Sequence, residues 1–256
     1  MKNIFDSHAH YNNPRFARDS DETIISMHQN GVNGIINVGY DLKVTEIAQK
    51  QAQKYPFMWF SAGIHPHDAA EVPSDYLSKL KNFSIDPKCV AIGEIGLDYF
   101  RNLSPKDVQK KVFIEQLDLA VECDLPVIIH TRDATKHTLD ILSQYNLRGV
   151  VHCFSSSAET AKKLVSMGWY IGFTGVITFE NAKRASEAAA VVPLDRLLVE
   201  TDCPYMAPNP HRGKRCTSDM IAFTAEKLGE IHGLSGQKIL DITNKNASDL
   251  FGVTAI

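Results

Sequence analysis

The sequence predicts a single α/β domain folded as a (β/α)8 TIM barrel, with extra helices at the C-terminus. Two observations support this class. The length of 256 residues and the hydrophobic content of 44% are typical of one barrel domain. Short apolar runs also alternate about eight times with longer stretches of helical periodicity. We therefore treat residues 1–256 as one domain, and a doubly wound open sheet is the alternative.

Eight apolar runs are the predicted strands. They lack the polar/apolar alternation of a half-exposed strand, as expected when both faces of a parallel sheet are covered. The runs span residues 4–5, 34–38, 58–64, 90–95, 126–129, 149–151, 170–177 and 197–199.

Capping residues mark the predicted helix starts. Ser104 reads as an N-cap, because a proline follows it at the first helical position. Similar starts are expected near Asp41, Asp133, Ser157 and Glu180. After the last strand, two more helices are predicted at about 217–232 and 235–250.

Charge and cysteine content exclude several protein classes. A formal net charge of −3 argues against a basic outer face that grips long duplex DNA, so a polyanion would have to bind locally. Five cysteines without a CxxC pair predict reduced thiols. No run approaches the roughly 18 apolar residues that cross a bilayer, and the N-terminus shows no signal segment. We expect a cytoplasmic protein without a membrane segment or an obligate protein partner.

Side chains that can bind metals stand at or just beyond the predicted strands. In a barrel the carboxyl ends of all strands meet at one open end, the mouth, so we expect these side chains to converge. His8 and His10 are two residues apart, which places both imidazoles on the same side of an extended chain. The candidate ligands are His8, His10, Glu94, His130, His152 and Asp202.

These six side chains offer more donors than one zinc ion uses, since four ligands suffice. We therefore predict two divalent cations, with Glu94 as the bridging ligand and zinc, manganese and magnesium all open as the metal. Any one of these residues alone has an ordinary structural explanation, such as a polar strand end. Their shared position at the strand ends favours the metal site.

His65 and His67 flank a proline after the third predicted strand. Either histidine could face the mouth and contact a substrate, or the proline could simply shape a tight turn. We prefer His65 as the substrate-binding residue, because it lies nearer the strand.

Three arginines are candidate substrate ligands. Arg132 lies two residues beyond His130 and could bind a phosphate through two nitrogens, or pair with a neighbouring carboxylate. Arg212 and Arg215 belong to a basic run after the last strand, where barrels often bind phosphate. A solvated basic loop is the alternative.

Seven motifs resemble those of TatD-type deoxyribonucleases and follow the family's order. They are FDSHAH (5–10), GIHPH (63–67), GEIGLDY (93–99), IIHTRDA (128–134), VVHCFS (150–155), IGFTG (171–175) and ETDCPYMAP (200–208). The resemblance implies a TIM barrel that hydrolyses DNA phosphodiesters with divalent metals, in some members from the 3′ end of single strands. It assigns the metals to the same six residues and places His65 and Arg132 near the substrate.

The resulting hypothesis is a metal-dependent deoxyribonuclease that acts 3′-to-5′ on single-stranded or frayed ends. Glu94 and Asp202 are its catalytic residues, with Asp202 accepting the proton of the attacking water. Four aromatic residues are candidates for base stacking: Tyr99, Phe100, Phe154 and Tyr205. Two alternatives remain. One is a metal-dependent hydrolase of a cyclic amide, lactone or aminoacyl ester, and the other is a non-catalytic nucleic-acid-binding barrel.

The chain departs from the family pattern at two places. Cys216-Thr217-Ser218 follows Arg215 where the family usually has Asn-Glu-Pro, and Ser156 stands where glycine is common. All metal ligands are present, so we expect hydrolysis to survive. The first departure lies beside the mouth, so we expect it to affect the choice of substrate.

Overall fold

A computed structural model describes residues 1–255 of the chain. These residues form one sheet of eight parallel strands, in which each strand pairs with the next in sequence order. The strands are β1 (Ile4–Ala9), β2 (Val32–Val38), β3 (Met58–Ala62), β4 (Cys89–Asp98), β5 (Val127–Arg132), β6 (Gly149–Val151), β7 (Tyr170–Phe173) and β8 (Leu197–Val199).

The same residues form α-helices between and after the strands. They are α1 (Ser20–Gln29), α2 (Leu42–Lys54), α3 (Tyr76–Ser84), α4 (Lys106–Cys123), α5 (Thr135–Leu142), α6 (Ala158–Ser166), α7 (Lys183–Ala189), α8 (Ile221–His232) and α9 (Gly236–Phe251). Within residues 1–255, none of these helices combines the length and the apolar character that crossing a membrane requires.

β1 and β8 meet just beyond the last residue of β8. Ala9 and Cys203 form a parallel bridge there, and the backbone N–H of Asp202 donates to the carbonyl of His8 at 2.8 Å. These contacts bring the two ends of the sheet together into a nearly closed barrel, so the predicted (β/α)8 class is confirmed.

Two buried clusters form the core. The larger one packs the outer faces of the strands against the surrounding helices. The smaller one lines the inside of the barrel and is covered by the C-terminal part of α9. It includes Phe5, Ile128, Val150 and Leu198 from the strands and Leu250 from α9. Two positions further along the strands, the inner layer becomes polar, with Ser7, His130, His152 and Glu200.

Some predicted helix starts are confirmed and others are wrong. The side chains of Asp41 and Ser157 accept backbone N–H bonds from Val44 and Thr160, as N-caps do. Ser104 is not an N-cap: its hydroxyl donates to the carbonyl of His67 at 2.8 Å instead. α5 and α7 begin two and three residues after Asp133 and Glu180, so those two starts are misplaced.

The strand ends show where apolar character is a poor guide. β7 stops at Phe173, because Thr174 accepts the backbone N–H of Val176 and caps a short 3-10 helix (Gly175–Thr178). The predicted strand over 170–177 is therefore too long. In contrast, β1 extends beyond its predicted end at residue 5 to Ala9, and β4 extends beyond its predicted end at residue 95 to Asp98. The pairing register shifts beside His8 and Glu94. Such irregularities re-aim side chains near functional sites.

Candidate metal centre

Four of the six predicted ligands form one half of a buried cluster at the mouth. The Nε2 atoms of His8 and His10 lie 3.1 Å apart, as their spacing along the chain predicts. Oε2 of Glu94 is 3.6 Å from His8 Nε2 and 4.0 Å from His10 Nε2. Oδ1 of Asp202 is 3.3 Å from His10 Nε2 and 3.8 Å from His8 Nε2. Two imidazoles and two carboxylates therefore surround one point.

The other oxygen of Glu94 faces a second group of imidazoles. Oε1 lies 2.7 Å from His152 Nε2, 2.9 Å from His130 Nδ1 and 3.7 Å from His65 Nε2. The ring of His65 meets that of His130 edge to face, with centroids 4.6 Å apart. His65 thus lies inside this group, so its position suits a ligand as well as a substrate contact. We call the whole cluster of His8, His10, His65, Glu94, His130, His152 and Asp202 the metal centre.

The carboxylates and imidazoles of the metal centre share protons when no cation is bound. Burial would raise the pKa of the Glu94 carboxyl, yet the adjacent imidazoles, His152 above all, hold it well below its usual value. Burial lowers the pKa of His8 and His65. Burial acts in the same direction on His10, His130 and His152, but the nearby carboxylates outweigh it and raise their pKa, so binding of a cation there would release protons. Metal binding needs deprotonated ligands, namely ionised carboxylates and neutral imidazoles with a free lone pair. Three subsets of this cluster and its neighbours already lie close enough to bind an ion.

Asp98 is a site residue that the sequence analysis missed. Its Oδ2 is 2.9 Å from His67 Nε2 and 3.2 Å from His130 Nε2, and its Oδ1 accepts the backbone N–H of Arg101. Burial opposes ionisation of Asp98, but the bond with His130 holds its pKa below the usual range. Asp98 ends β4, at the aspartate of the GEIGLDY motif. Its place at the carboxyl end of a strand is the signal in the sequence that could have identified it. His67 therefore also faces the cluster, through Asp98.

The three candidate arginines lie in different surroundings. Arg132 is exposed, and its guanidinium stacks 4.0 Å above the ring of Phe100. Arg212 is exposed and stacks 4.5 Å above Phe179. Arg215 is held in place by a two-nitrogen ion pair with Asp19, at 2.8 and 2.6 Å. Of the three, Arg215 has the least freedom to turn toward a substrate, and its substrate role stays a prediction.

In the segment Cys216-Thr217-Ser218, which departs from the family pattern, the side chains of Cys216 and Ser218 are buried and do not line the mouth. Ser218 is fully buried, and its hydroxyl donates to Oδ2 of Asp6 at 2.7 Å. Asp6 also accepts the backbone N–H and the hydroxyl of Thr201, the residue before Asp202. Cys216 is buried as well. Ser218 is therefore connected to the metal centre through Asp6, which also binds the backbone next to Asp202. The effect of this segment on substrate choice stays a prediction.

The candidate stacking residues differ in exposure. Phe100 is 60% exposed and Tyr205 is 46% exposed, and both belong to loops that follow strand ends. Phe154 is buried in the core against Phe173, so it cannot stack on a base in this structure. Tyr99 is partly buried and lies under the ammonium group of Lys106. The structure therefore leaves Phe100 and Tyr205 as the accessible pair.

Comparison with known proteins agrees with the motifs. A family model described as TatD-related DNase matches residues 5–252. YabD of Bacillus subtilis (strain 168), an uncharacterized metal-dependent hydrolase, is 40% identical over 253 residues, which are 98% of this chain and 99% of YabD. The 3′-5′ ssDNA/RNA exonuclease TatD of Citrobacter rodentium is 34% identical over 259 residues and covers 98% of each chain.

The fold agrees as well. The crystal structure of YjjV, a TatD homologue from Escherichia coli, superposes with a TM-score of 0.92 at 30% identity and covers 98% of this chain and 99% of that one. The family model spans nearly the whole chain, and the two relatives match it from end to end. The chain therefore belongs to the family of TatD-related DNases.

Proposed function

We propose that this protein is a divalent-metal-dependent exonuclease that hydrolyses phosphodiester bonds from the 3′ end of single-stranded or frayed DNA. Its family and its relatives support the coarser statement directly: it is a metal-dependent hydrolase. The TatD relative of Citrobacter rodentium is named as an exonuclease of single-stranded DNA and RNA, which supports the finer one. RNA is accordingly a second polymer to test.

One observation carries the proposal: the two oxygens of Glu94 face separate groups of imidazoles, at 3.6–4.0 Å on one side and 2.7–3.7 Å on the other. A carboxylate placed in this way suits two cations. His8, His10 and Asp202 would hold the first with Glu94, and His130 and His152 would hold the second. When bound, such a pair lowers the pKa of a water molecule and stabilises charge on phosphoryl oxygens.

The other side chains have distinct tasks in this scheme. Asp202 is the more exposed of the two central carboxylates, at 15% against 6% for the side chain of Glu94, so it can reach a water at the mouth and accept its proton. Arg132 presents a guanidinium near the strand end that carries His130, where it can bind the phosphate through two nitrogens. These tasks require an open mouth and a phosphate that lies over the metal centre.

The surface around the mouth favours an unpaired strand. Phe100 carries Arg132 on its ring, and the guanidinium of Arg15 lies 5.7 Å from the ring centre of Tyr205. Exposed aromatic rings that adjoin arginines bind single strands by stacking on bases while the cations contact phosphates. Stacked bases inside a duplex are not free for such contacts. A formal net charge of −3 also fits local binding rather than a broad basic surface.

The test is digestion of 5′-labelled oligonucleotides. Single-stranded, blunt duplex and frayed substrates are incubated with Zn²⁺, Mn²⁺ or Mg²⁺, and with a chelator. We expect 3′-to-5′ shortening of single-stranded and frayed substrates, and none in chelator. Glu94→Gln and Asp202→Asn should each abolish turnover while the circular dichroism spectrum is kept.

Glu46→Gln is the matched control, because Glu46 pairs with Lys50 on the outside of α2 and should be dispensable. A panel of lactones, cyclic amides and aminoacyl esters is assayed in parallel. Turnover of that panel without nuclease activity would instead support the carbon-substrate hydrolase. Full nuclease activity in Glu94→Gln or in chelator would contradict the proposed chemistry.

A further inference from the structure

Glu200 is a buried carboxylate that begins the ETDCPYMAP motif but has no role in the proposed chemistry. It is 0% exposed and lies two residues beyond Leu198 on the inner face of the barrel, in the polar layer that carries His130 and His152. Within residues 1–255, the only basic side chain within ion-pair distance is His152, whose Nδ1 is 3.5 Å from Oε1 of Glu200. Burying a carboxylate is costly unless it is paired and hydrogen-bonded. The position of Glu200 therefore points to a role beside His152.

Two imidazoles beside Glu200 have an unused nitrogen. The Nδ1 atoms of His8 and His152 are both buried, and neither has a hydrogen-bond partner among the described residues. The two rings stack face to face, with centroids 4.0 Å apart and planes 12° apart. Their Nε2 atoms face Glu94. One nitrogen of each ring and one oxygen of Glu200 lie within 4.8 Å of one another.

Glu200 retains capacity to accept further hydrogen bonds. Oε1 accepts the backbone N–H of Cys153 at 2.5 Å, and Oε2 lies 3.3 Å from the hydroxyl of Ser7, whose one proton is shared with the carbonyl of Val199 at 3.1 Å. An ionised carboxylate offers about four lone-pair positions, so roughly two stay open. Cys153 has a φ of 45°, a left-handed conformation that is uncommon for a non-glycine residue. In this conformation its N–H points at Glu200 and fixes the carboxylate beside the two histidines.

Gly172 keeps the space that the carboxylate occupies. A Cβ atom at this position would lie 2.4 Å from Oε2 and 2.7 Å from Cδ of Glu200. Gly172 pairs with Leu198 in the sheet, so it stands next to the strand that carries Glu200. The backbone around Glu200 is therefore built to hold a carboxylate at this place.

We propose that Glu200 is a positioning residue for the metal centre, which accepts the Nδ1–H groups of His152 and His8 when their Nε2 atoms bind cations. This inference rests on the proposed function only in assuming that the centre binds metal. An imidazole that binds a cation through one nitrogen carries its proton on the other, and a carboxylate acceptor there fixes the ring and raises its basicity. Here one carboxylate would serve two ligands, one from each half of the centre.

The test measures metal affinity rather than catalysis. Metal-free protein is titrated with Co²⁺ by calorimetry, and the visible absorption of the Co²⁺ form reports ligand geometry. In Glu200→Gln, one acceptor oxygen becomes an amide, so we expect Co²⁺ affinity to fall by about 10–100-fold and the absorption bands to shift. Glu200→Asp keeps the charge but retracts it from the imidazoles, and should show a loss of the same order.

Asn246→Ala is the control, because Asn246 is also buried but donates to the carbonyls of Leu194 and Leu197, at the end of β8 opposite to Glu200. We expect this variant to unfold at a lower temperature and to bind Co²⁺ close to wild type. Wild-type affinity in Glu200→Gln, or an equal loss in Asn246→Ala, would overturn the proposal.

A variant that fails to fold does not remove the test. If Glu200→Gln is not obtained as folded protein, Gly172→Ala displaces the same carboxylate without changing its chemistry, and unchanged Co²⁺ affinity there would overturn the proposal. Nuclease activity is a separate readout. Wild-type protein that binds Co²⁺ but cleaves no oligonucleotide would contradict the proposed function and leave the role of Glu200 standing.

Discussion

Substituting Gly172 with alanine perturbs the barrel interior at one defined contact. The new Cβ would lie 2.4 Å from Oε2 of Glu200, whereas ordinary van der Waals contact begins at 3.4 Å, so the oxygen has to move by about 1 Å. Rotation of the carboxylate would break the short bond that Oε1 accepts from the backbone N–H of Cys153. The backbone of Gly172 is not left-handed, so alanine adds no backbone strain.

Overpacking of this kind costs about 1–3 kcal/mol in buried sites. Loss of glycine flexibility in the unfolded chain returns roughly 0.4–1 kcal/mol, so the middle of the two ranges gives a net loss in the free energy of unfolding of about 1.3 kcal/mol. For a chain of this size, 1 kcal/mol lowers Tm by about 2–4 °C. We therefore expect Tm to fall by about 3–5 °C in metal-free protein, measured by circular dichroism.

A double-mutant cycle assigns the cause of that loss. In a Glu200→Asp background the shorter side chain leaves room for the added methyl group, so Gly172→Ala should cause little further loss. Tm in Gly172→Ala equal to or above wild type would refute the packing argument. An unchanged penalty in the Glu200→Asp background would show that the clash is not with Glu200.

Three further outcomes follow from the structure. Phe100→Ala should raise KM for single-stranded oligonucleotides by about 5-fold or more, since stacking contributes roughly 1–3 kcal/mol per base; kcat/KM for a small phosphodiester such as bis(p-nitrophenyl) phosphate should not change, and an equal loss on both substrates would argue against stacking. In native protein, Cys123 should be alkylated before Cys89, because Cys123 is partly exposed whereas burial raises the pKa of the Cys89 thiol to about 12; peptide mass spectrometry after timed alkylation checks this, and the reverse order would contradict the described packing. Metal ions at about 100 times their Kd should stabilise the folded chain by roughly 2.7 kcal/mol per site, so chelator should lower Tm, whereas Tm indifferent to chelator would argue against metal binding to the native state.

The sequence predicted the fold class and the convergence of the ligands well, for a physical reason. Apolar runs that alternate with helical periodicity allow few arrangements other than a barrel, and the barrel brings every strand end to one mouth. His8 and His10 illustrate this: their spacing alone predicts imidazoles on one side, and their Nε2 atoms lie 3.1 Å apart. The six predicted ligands do meet around Glu94.

What the sequence could not supply depends on contacts across the barrel. Asp98 and Glu200 look like any acidic residue at a strand end. Their link to the histidines arises only because β4 lies beside β5 and because the ends of β6 and β8 converge at the mouth. The sequence left Phe154 open between base stacking and the core, because an aromatic residue at a strand end can turn inward as easily as outward; in the structure it is buried. Arg215 could not be placed, since its partner Asp19 is distant in the sequence.

The most direct test of the central claim is anomalous scattering from crystals grown with Mn²⁺. We expect two peaks about 3.5–4 Å apart, each in contact with one oxygen of Glu94. One should lie beside His8, His10 and Asp202, and the other beside His130 and His152. A single peak, or peaks that do not contact Glu94, would contradict the two-cation centre.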